Sequence, residues 1–246
     1  MKAIILAAGY ATRMQEKYPN TPKPLLPIGG RPIIDFIVDQ LNGVLAVDEI
    51  FVVTNAKFYE NFTAWQPASR VPVRVLNDST TAVENRLGAI GDILFVLQSQ
   101  KISQDIVVVA GDNYLEYPLA AQYAFFQKTG CDTLCAMRMA DVERLKGFAV
   151  AELDAHGKVL SLEEKPAQPK SDIAIFATYF YRAETLPLFE VYKAAHAGEQ
   201  KKMDAPGQFP QWLYTQKDVY AYTMEGQCHD LGTIDSYQSM KVQMEK

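Results

Sequence analysis

Short runs of apolar residues alternate along the chain with longer segments in which apolar residues recur every three or four positions. The runs predict buried strands, and the longer segments predict helices with one apolar face. In the first half, strands are predicted at 3–8, 49–54, 71–76 and 105–110. Helices are predicted at 33–45, 57–65, 84–97 and 119–127. This alternation predicts a parallel sheet with helices on both faces.

The second half has a different pattern, with several strands close together. Strands are predicted at 132–139, 148–153, 158–162, 173–181 and 219–223. Helices are predicted at 183–195, around 209–215 and from 234 onward, and 200–207 is expected to be a polar loop. We therefore expect an α/β fold in three layers, Rossmann-like, with a mixed, mostly parallel sheet. No linker or repeat interrupts the chain, which predicts one domain over residues 1–246.

Composition narrows the class of protein. The chain has 246 residues, of which 48% are hydrophobic and 22% charged, which is ordinary for a globular protein. Its net charge of −5 provides no excess of cations for coating nucleic acid. The three cysteines form no CxxC pair, which is typical of a reducing compartment. No signal-peptide pattern or apolar run of membrane-spanning length is present, so we expect a cytoplasmic protein without a membrane partner.

The opening of the chain carries the first candidate chemistry. The predicted strand 3–8 stops at Gly9 and leads into a polar loop with Arg13, Lys17 and Lys23. Ligands of open α/β sheets bind beyond the carboxyl ends of the strands. Backbone N–H groups and cations of such a loop can bind phosphate oxygens. The spaced glycines of the P-loop and of the dinucleotide fingerprint are absent. A nucleotide-handling enzyme of another type is predicted.

Five segments occur in an order that is found in one family. They are LAAGYATRM at 6–14, PKPLLPIGGRPII at 22–34, VVVAGDN at 107–113, EEKP at 163–166 and DLGT at 230–233. Together they resemble the sugar-phosphate nucleotidylyltransferases, also called NDP-sugar pyrophosphorylases, of the short type that uses glucose 1-phosphate with a thymidylyl or uridylyl group. The resemblance implies the nucleotide-diphospho-sugar transferase-like fold. It also implies a monomer or homodimer that uses Mg²⁺ to join an NTP and a sugar 1-phosphate into an NDP-sugar and pyrophosphate.

The resemblance also implies roles for individual residues. The nucleotide-binding set is Leu6, Ala7, Ala8, Gly9, Tyr10, Ala11, Thr12, Arg13, Lys23 and Gly111. Arg13 and Lys23 are the implied catalytic cations that stabilise the leaving pyrophosphate. Asp112 and Asp230 are the implied metal ligands. Asn113, Glu164 and Lys165 are the implied contacts to the sugar phosphate. The nucleotide-binding lobe would span about 1–130, and the lobe for the sugar phosphate about 131–246.

Each of these residues also has an ordinary structural explanation. Arg13 and Lys23 could be solvated loop cations, and Asp112 could cap a turn after its strand. Asp230 could belong to a turn in which Thr233 caps the last helix. Tyr10 could either restrict the loop or pack on the nucleotide.

Two other functions remain open on the sequence. Cytidylyltransferases for a non-sugar phosphate such as phosphocholine share the LAAG opening and an asparagine directly after the metal-binding aspartate, as Asn113 is here. A nucleotide-sensing homologue without turnover is the other possibility. The base-reading glutamine of thymidylyl and uridylyl relatives has no counterpart in 76–86, so the sequence leaves the base unassigned.

Overall fold

The computed structural model describes residues 1–12, 14 and 17–244 of the chain. Its strands are β1 (Lys2–Leu6), β2 (Pro27–Ile28), β3 (Arg31–Pro32), β4 (Glu49–Thr54), β5 (Val73–Asn77), β6 (Ile106–Ala110), β7 (Asn113–Leu115), β8 (Asp132–Arg138), β9 (Ala149–Leu153), β10 (Val159–Glu164), β11 (Ile173–Tyr181), β12 (Val219–Thr223) and β13 (Cys228–Asp230). Its helices are α1 (Ile33–Asn42), α2 (Tyr59–Ala64), α3 (Gly88–Ser99), α4 (Leu119–Thr129), α5 (Val142–Leu145), α6 (Leu186–Ala195), α7 (Gln200–Asp204), α8 (Gln208–Leu213) and α9 (Ile234–Met244).

The first half of the chain builds the parallel part of a nine-stranded sheet. Here β5, β4, β1 and β6 lie side by side in that order, all parallel. The central strand β1 pairs Ile4 with Phe51 of β4 on one side and with Val108 of β6 on the other. These strands are almost continuously apolar because helices cover both faces of the sheet.

The second half extends this sheet with strands of mixed direction. The long strand β11 runs antiparallel to β6, and its outer edge pairs with β8, which in turn pairs with β12. The beginning of β11 also pairs with β9, to which β10 is added. The sheet is therefore mixed and passes through both halves of the chain, which confirms the predicted fold class.

Two apolar layers lie on the two faces of the sheet. One contains Ile37 of α1 and Phe126 of α4. The other contains Ile93 of α3, Phe189 of α6 and Phe209 of α8. The Phe189 and Phe209 rings are stacked with their centroids 3.7 Å apart. Burial on both faces provides the main stabilisation of the sheet.

The end of the chain returns to its beginning. Strand β13 pairs antiparallel with β7, which follows directly after β6. Helix α9 then packs on the segment after β1, with Tyr237 and Met240 buried against Met14 and Ile28. The Tyr237 hydroxyl donates to the Pro27 carbonyl at 2.8 Å. The division into two lobes thus remains a prediction. Helix α9, from the predicted second lobe, contacts residues of the predicted first lobe.

The structure corrects several element boundaries. The first predicted helix ends at Asn42, before Gly43, and the third begins only at Gly88, after a separate 3-10 turn over Val83–Asn85. The predicted loop 200–207 contains helix α7, which tertiary contacts hold in place. The short strands β7 and β13 were not predicted, since three residues give no periodic signal. In the described part of the chain, no helix combines the length and the apolar character needed to cross a membrane.

Candidate active site

A cleft with two adjoining cavities lies at the carboxyl ends of β1 and β6. The first cavity has a volume of about 630 Å³, and the second about 190 Å³. Ala110, Asp112 and Pro206 line both cavities, so the two are continuous at these residues. This is the edge of a parallel sheet at which ligands are expected.

The loop after β1 forms one wall of the first cavity. The lining residues from this loop and the strand before it are Leu6, Ala8, Gly9, Tyr10, Ala11 and Thr12. Ala11 has a left-handed backbone with φ of 51°, and a side chain on Gly9 would meet nothing within 4 Å. Ala7 lies beneath this surface, where its carbonyl accepts a hydrogen bond from the Thr54 hydroxyl at 3.3 Å. Arg13 lies outside the described residues.

Tyr10 is a buried anchor of this loop. Only 8% of the residue is exposed, and its hydroxyl donates to Thr80 Oγ1 at 3.0 Å. Of the two roles open to Tyr10, restriction of the loop has a structural basis in this hydrogen bond, and the residue still lines the cavity.

Gly111 supports the site from below. Its N–H donates to the Leu6 carbonyl at 2.9 Å. A Cβ at position 111 would stand 2.8 Å from that carbonyl oxygen and 3.0 Å from Pro24 Cγ. Gly111 thus lets the end of β6 approach β1, and it is the following residue, Asp112, that faces the cleft. The nucleotide contact predicted for Gly111 stays a prediction beside this packing role.

Asp112, Asp230 and Lys23 meet where the two cavities join. Lys23 Nζ lies 3.6 Å from Asp112 Oδ2. Asp230 Oδ1, Asp112 Oδ2 and Lys23 Nζ all lie within 3.5 Å of the point where a Cβ on Gly232 would stand. Three charged groups from distant segments thus surround a space that exists because residue 232 has no side chain.

The pairing of β13 with β7 brings these carboxylates together. Asp230 is opposite Asn113 in that pair, and the Leu231 N–H donates to the Asp112 carbonyl at 2.9 Å. Asp230 Oδ1 accepts from the Gly232 N–H at 2.7 Å. Thr233 caps α9, since its hydroxyl accepts from the Ser236 N–H at 3.1 Å. Thr233 therefore caps the last helix, and Asp230 in the same turn also lines the cleft.

The electrostatics of this pair suit a cation. Desolvation by the surrounding protein, and then the negative charge of Asp112, raise the pKa of Asp230. Within the described residues, no cluster of three or more His, Cys, Asp or Glu side chains forms a complete metal cage. Mg²⁺ is commonly held by one or two carboxylates together with waters and substrate phosphates. Two repelling carboxylates at an open cleft fit that ion.

Glu164 and Lys165 belong to the second cavity. Glu164 is the last residue of β10, and only 7% of its side chain is exposed. Burial raises the pKa of its carboxyl, although the charge of Lys165 lowers it. Lys165 Nζ lies 3.9 Å from Glu164 Oε1. The Lys165 backbone is left-handed, with φ of 50°, and its N–H donates to the Phe148 carbonyl at 3.0 Å. This conformation turns the chain at the point where β10 ends.

Asn113 lies in the wall of the second cavity and has an unpaired side-chain donor. The residue is 4% exposed and lines this cavity, and its Nδ2 has no hydrogen-bond partner among the described residues. On the same wall, the rings of Phe148 and Phe176 are 4.8 Å apart between centroids. An amide donor, a buried carboxylate and an aromatic surface together are suited to a small polyhydroxylated ligand.

Several cleft residues were not found by sequence reasoning. They are Asp78, Arg86, Asp92, Asp204, Pro206 and Gly207. Arg86 donates to both carboxylate oxygens of Asp204, at 2.9 and 2.6 Å, and thereby attaches α7 to the turn before α3. This contact joins residues that are far apart in the sequence, and no local motif predicts it.

Comparisons with known proteins show the family of the chain. A family model described as nucleotidyl transferase matches residues 2–246. The chain is 28% identical to a putative mannose-1-phosphate guanyltransferase of Sulfolobus acidocaldarius over 99% of the chain and 63% of the relative. It is 26% identical to a glucose-1-phosphate thymidylyltransferase of Streptomyces griseus, over 95% of the chain and 63% of the relative. The chain thus spans about 63% of the length of these curated relatives.

The fold is similar to that of solved structures of comparable length. A UDP-glucose pyrophosphorylase in complex with UDP-glucose superimposes with a TM-score of 0.83 at 18% identity, covering 99% of this chain and 98% of the other. A putative glucose-1-phosphate thymidylyltransferase from Bacillus anthracis superimposes with a TM-score of 0.82 at 21% identity, covering 100% of this chain and 96% of the other. At this level of identity, the likeness concerns the fold.

Proposed function

Because the chain belongs to the nucleotidyl transferase family, we propose that it joins an NTP and a sugar 1-phosphate into an NDP-sugar and releases pyrophosphate. The observation that carries this proposal is the meeting of Asp112, Asp230 and Lys23 at the junction of the two cavities. The first cavity would hold the NTP and the second the sugar phosphate. The reacting phosphates would then meet beside the three charged groups.

The proposed reaction needs no covalent bond between the protein and a substrate. A phosphate oxygen of the sugar phosphate attacks the α-phosphorus, the new P–O bond forms, and the bond to the β-phosphate breaks to release pyrophosphate. Two anions must approach each other, so catalysis consists of positioning and charge neutralisation. Alignment of the attacking oxygen can contribute up to about 7–11 kcal/mol.

Residues of this chain take distinct parts in that process. Lys23 neutralises phosphate charge at the junction, and Arg13 is proposed to do the same from the loop. Asp112 and Asp230 would hold Mg²⁺, which would supply positive charge that neutralises the phosphates. Asn113 and Glu164 bind hydroxyl groups in the second cavity, while Lys165 binds the phosphate of the sugar. The loop from Gly9 to Thr12 orients the NTP through its backbone N–H groups.

The test is a pyrophosphate-release screen of all common NTPs against a panel of sugar 1-phosphates, with phosphocholine included. We expect Mg²⁺-dependent release with at least one sugar 1-phosphate. Pyrophosphate release with phosphocholine alone would show that the acceptor substrate is a non-sugar phosphate. Tight NTP binding without release for any acceptor would favour the nucleotide-sensing alternative.

A further inference from the structure

Helix α7 and the residues that follow it connect the two cavities of the cleft. Asp204, the last residue of α7, lines the first cavity, and Pro206 lines both cavities. Gly207 lines the second cavity, where it lies against the Glu164 carboxylate. The short segment 204–207 therefore joins the wall of the first cavity to the side chain that is proposed to bind sugar hydroxyls.

Burial of apolar side chains contributes little to the position of α7. The helix has the sequence QKKMD, and each of its five residues is at least partly exposed. A helix of this length is not stable on its own, because ordering its backbone costs more than its few internal hydrogen bonds provide. Its position therefore depends on specific contacts with the rest of the chain.

Arg86 makes a bidentate contact with α7. Its Nε and Nη2 donate to the two carboxylate oxygens of Asp204, at 2.9 and 2.6 Å. Such charge-assisted pairs are stronger than neutral hydrogen bonds and define a geometry. Arg86 Nη1 also donates to the Val83 carbonyl, which holds the guanidinium on the turn before α3. Gln200 Nε2 donates to the Arg86 carbonyl and to Asp204 Oδ1, both at 3.1 Å.

The backbone of α7 packs closely on the start of α3. A Cβ on Gly88 would stand 2.6 Å from the Met203 carbonyl oxygen and 3.0 Å from Asp204 Cα. Asp204 is thus held at its backbone by this packing and at its side chain by Arg86. The two contacts together define one position of α7 in the wall of the first cavity.

The segment that follows α7 contacts Glu164 through both its side chain and its backbone. A Cβ on Gly207 would stand 3.0 Å from Glu164 Cδ. Gln211 of α8 accepts a hydrogen bond from the Glu164 N–H through Oε1, at 2.6 Å. The Gln211 N–H in turn donates to the Gly207 carbonyl at 3.1 Å. A shift of this segment would therefore reach Glu164 by both routes.

We infer that Arg86 and Asp204 are positioning residues, whose ion pair in the first cavity fixes segment 204–207 and thereby sets the Glu164 side of the second cavity. This inference rests on the proposed function for the identity of the ligand as a sugar 1-phosphate. The described residues that line the second cavity include Pro206 but neither Arg86 nor Asp204. An effect of this pair on sugar-phosphate binding is therefore transmitted through the segment.

A double-mutant cycle with Asp204→Asn and Arg86→Gln tests the inference. The two side chains are 28% and 35% exposed, so both substitutions are compatible with the fold. We expect each single variant to raise KM for the accepted sugar 1-phosphate about tenfold, because small misplacements of positioning groups are costly. The double variant should be no worse than the worse single variant, because the two residues act through one pair.

Two results of this cycle would overturn the inference. One is an unchanged KM for the sugar 1-phosphate in Asp204→Asn, or effects that add in the double variant. The other is a rise confined to KM for the NTP, which would show that the pair contacts the nucleotide only. In a Glu164→Ala background, Asp204→Asn should cause no further rise in KM for the sugar 1-phosphate, and a further rise would also overturn the inference.

Asp172→Asn is the matched control. Arg138 Nη1 donates to both carboxylate oxygens of Asp172, at 2.8 and 2.9 Å, and neither residue is among the described residues that line the two cavities. The control loses an ion pair between the same residue types, so KM should stay unchanged for both substrates. An equal rise in KM in the control would show a general effect of a lost ion pair and overturn the inference.

Amide hydrogen exchange separates this inference from the proposed function, because it needs no substrate. In Asp204→Asn we expect faster exchange over 200–208 and at the Glu164 N–H, whose acceptor Gln211 is bonded to Gly207. Faster exchange at both places, together with no pyrophosphate release by the wild type, would sink the proposed function and support the link between the cavities. Unchanged exchange at the Glu164 N–H would overturn the link.

Discussion

The carboxylate of Glu164 lies directly against Gly207, so closely that a Cβ at position 207 would overlap Glu164 Oε2 and stand 3.0 Å from Cδ. It would also stand 3.3 Å from Ala149 Cβ. Gly207 follows α7, whose position depends on the attachment of Asp204 to Arg86. The second cavity therefore owes its shape to a segment that is remote in sequence from Glu164.

The substitution Gly207→Ala should displace the Glu164 carboxylate. We expect KM for the sugar phosphate to rise about ten- to a hundredfold, because small misplacements of positioning groups are costly. KM for the NTP should change little. Steady-state kinetics with each substrate varied in turn measure both effects. In a Glu164→Ala background the Gly207→Ala change should have no further effect, and an additive effect would show that the overlap is not the cause.

Neutralising one metal-site carboxylate should separate activity from stability. Asp230→Asn removes a charge that burial and then the neighbouring Asp112 disfavour, since both raise the pKa of Asp230. The melting temperature without Mg²⁺ should therefore not fall, while pyrophosphate release falls at least roughly a hundredfold. Thermal melts with and without Mg²⁺ and NTP provide the second measurement. A variant that melts lower but keeps its activity would remove Asp230 from the proposed metal site.

Gly88 should be essential for the packing of α7 on α3. Its φ is 76°, and a Cβ there would stand 2.6 Å from the Met203 carbonyl oxygen. Gly88→Ala should lower the free energy of unfolding by about 2–4 kcal/mol, from strain and overlap together. Gly130 is the matched control, because its φ is 69° and a Cβ there meets nothing within 4 Å. Gly130→Ala should cost only about 1–2 kcal/mol, and urea denaturation of both variants checks the difference.

The pair of Asp78 and Asp92 predicts a pH dependence of stability with a definite sign. Burial raises the pKa of Asp92 in the folded state above its value in the unfolded state. At pH values between these two pKa values, the folded state therefore binds more protons than the unfolded state. The contribution of Asp92 to the free energy of unfolding is then fully present below its pKa in the unfolded state. It is lost as the pH rises toward its pKa in the folded state. Each unit of difference corresponds to about 1.4 kcal/mol.

Urea midpoints of the wild type and of Asp92→Asn, measured over a range from acidic to mildly alkaline pH, isolate this contribution. The amide introduced by Asp92→Asn does not titrate, so the midpoint of the variant should fall less as pH rises. Acids remote from Asp92 contribute equally to both proteins, and the change at the neighbouring Asp78 belongs to the effect of the pair. Parallel curves would show that Asp92 does not hold a proton in the folded state.

Much of the fold and part of the site could be predicted from the sequence. The strand 49–54 and the strand 173–181 have the predicted bounds, because long apolar runs mark buried strands. The loop 8–12 and Lys23 line the first cavity as expected, because a glycine after a buried strand marks the ligand edge of the sheet. The close packing of Gly111 against Leu6 could not be predicted, because one sequence does not distinguish a close backbone contact from ligand binding.

What the sequence by itself determined is local: the apolar periods that specify strands and helices, and the short segments that point to phosphate chemistry. Only the tertiary structure decided that β13 pairs with β7 and thereby brings Asp230 to Asp112. The same holds for the docking of α7, which sets Gly207 against Glu164, and for the placement of Asp78 and Asp92 in the wall of one cavity. The physical reason is that these contacts join distant segments, and their free energy depends on burial and charge that exist only once the sheet has formed.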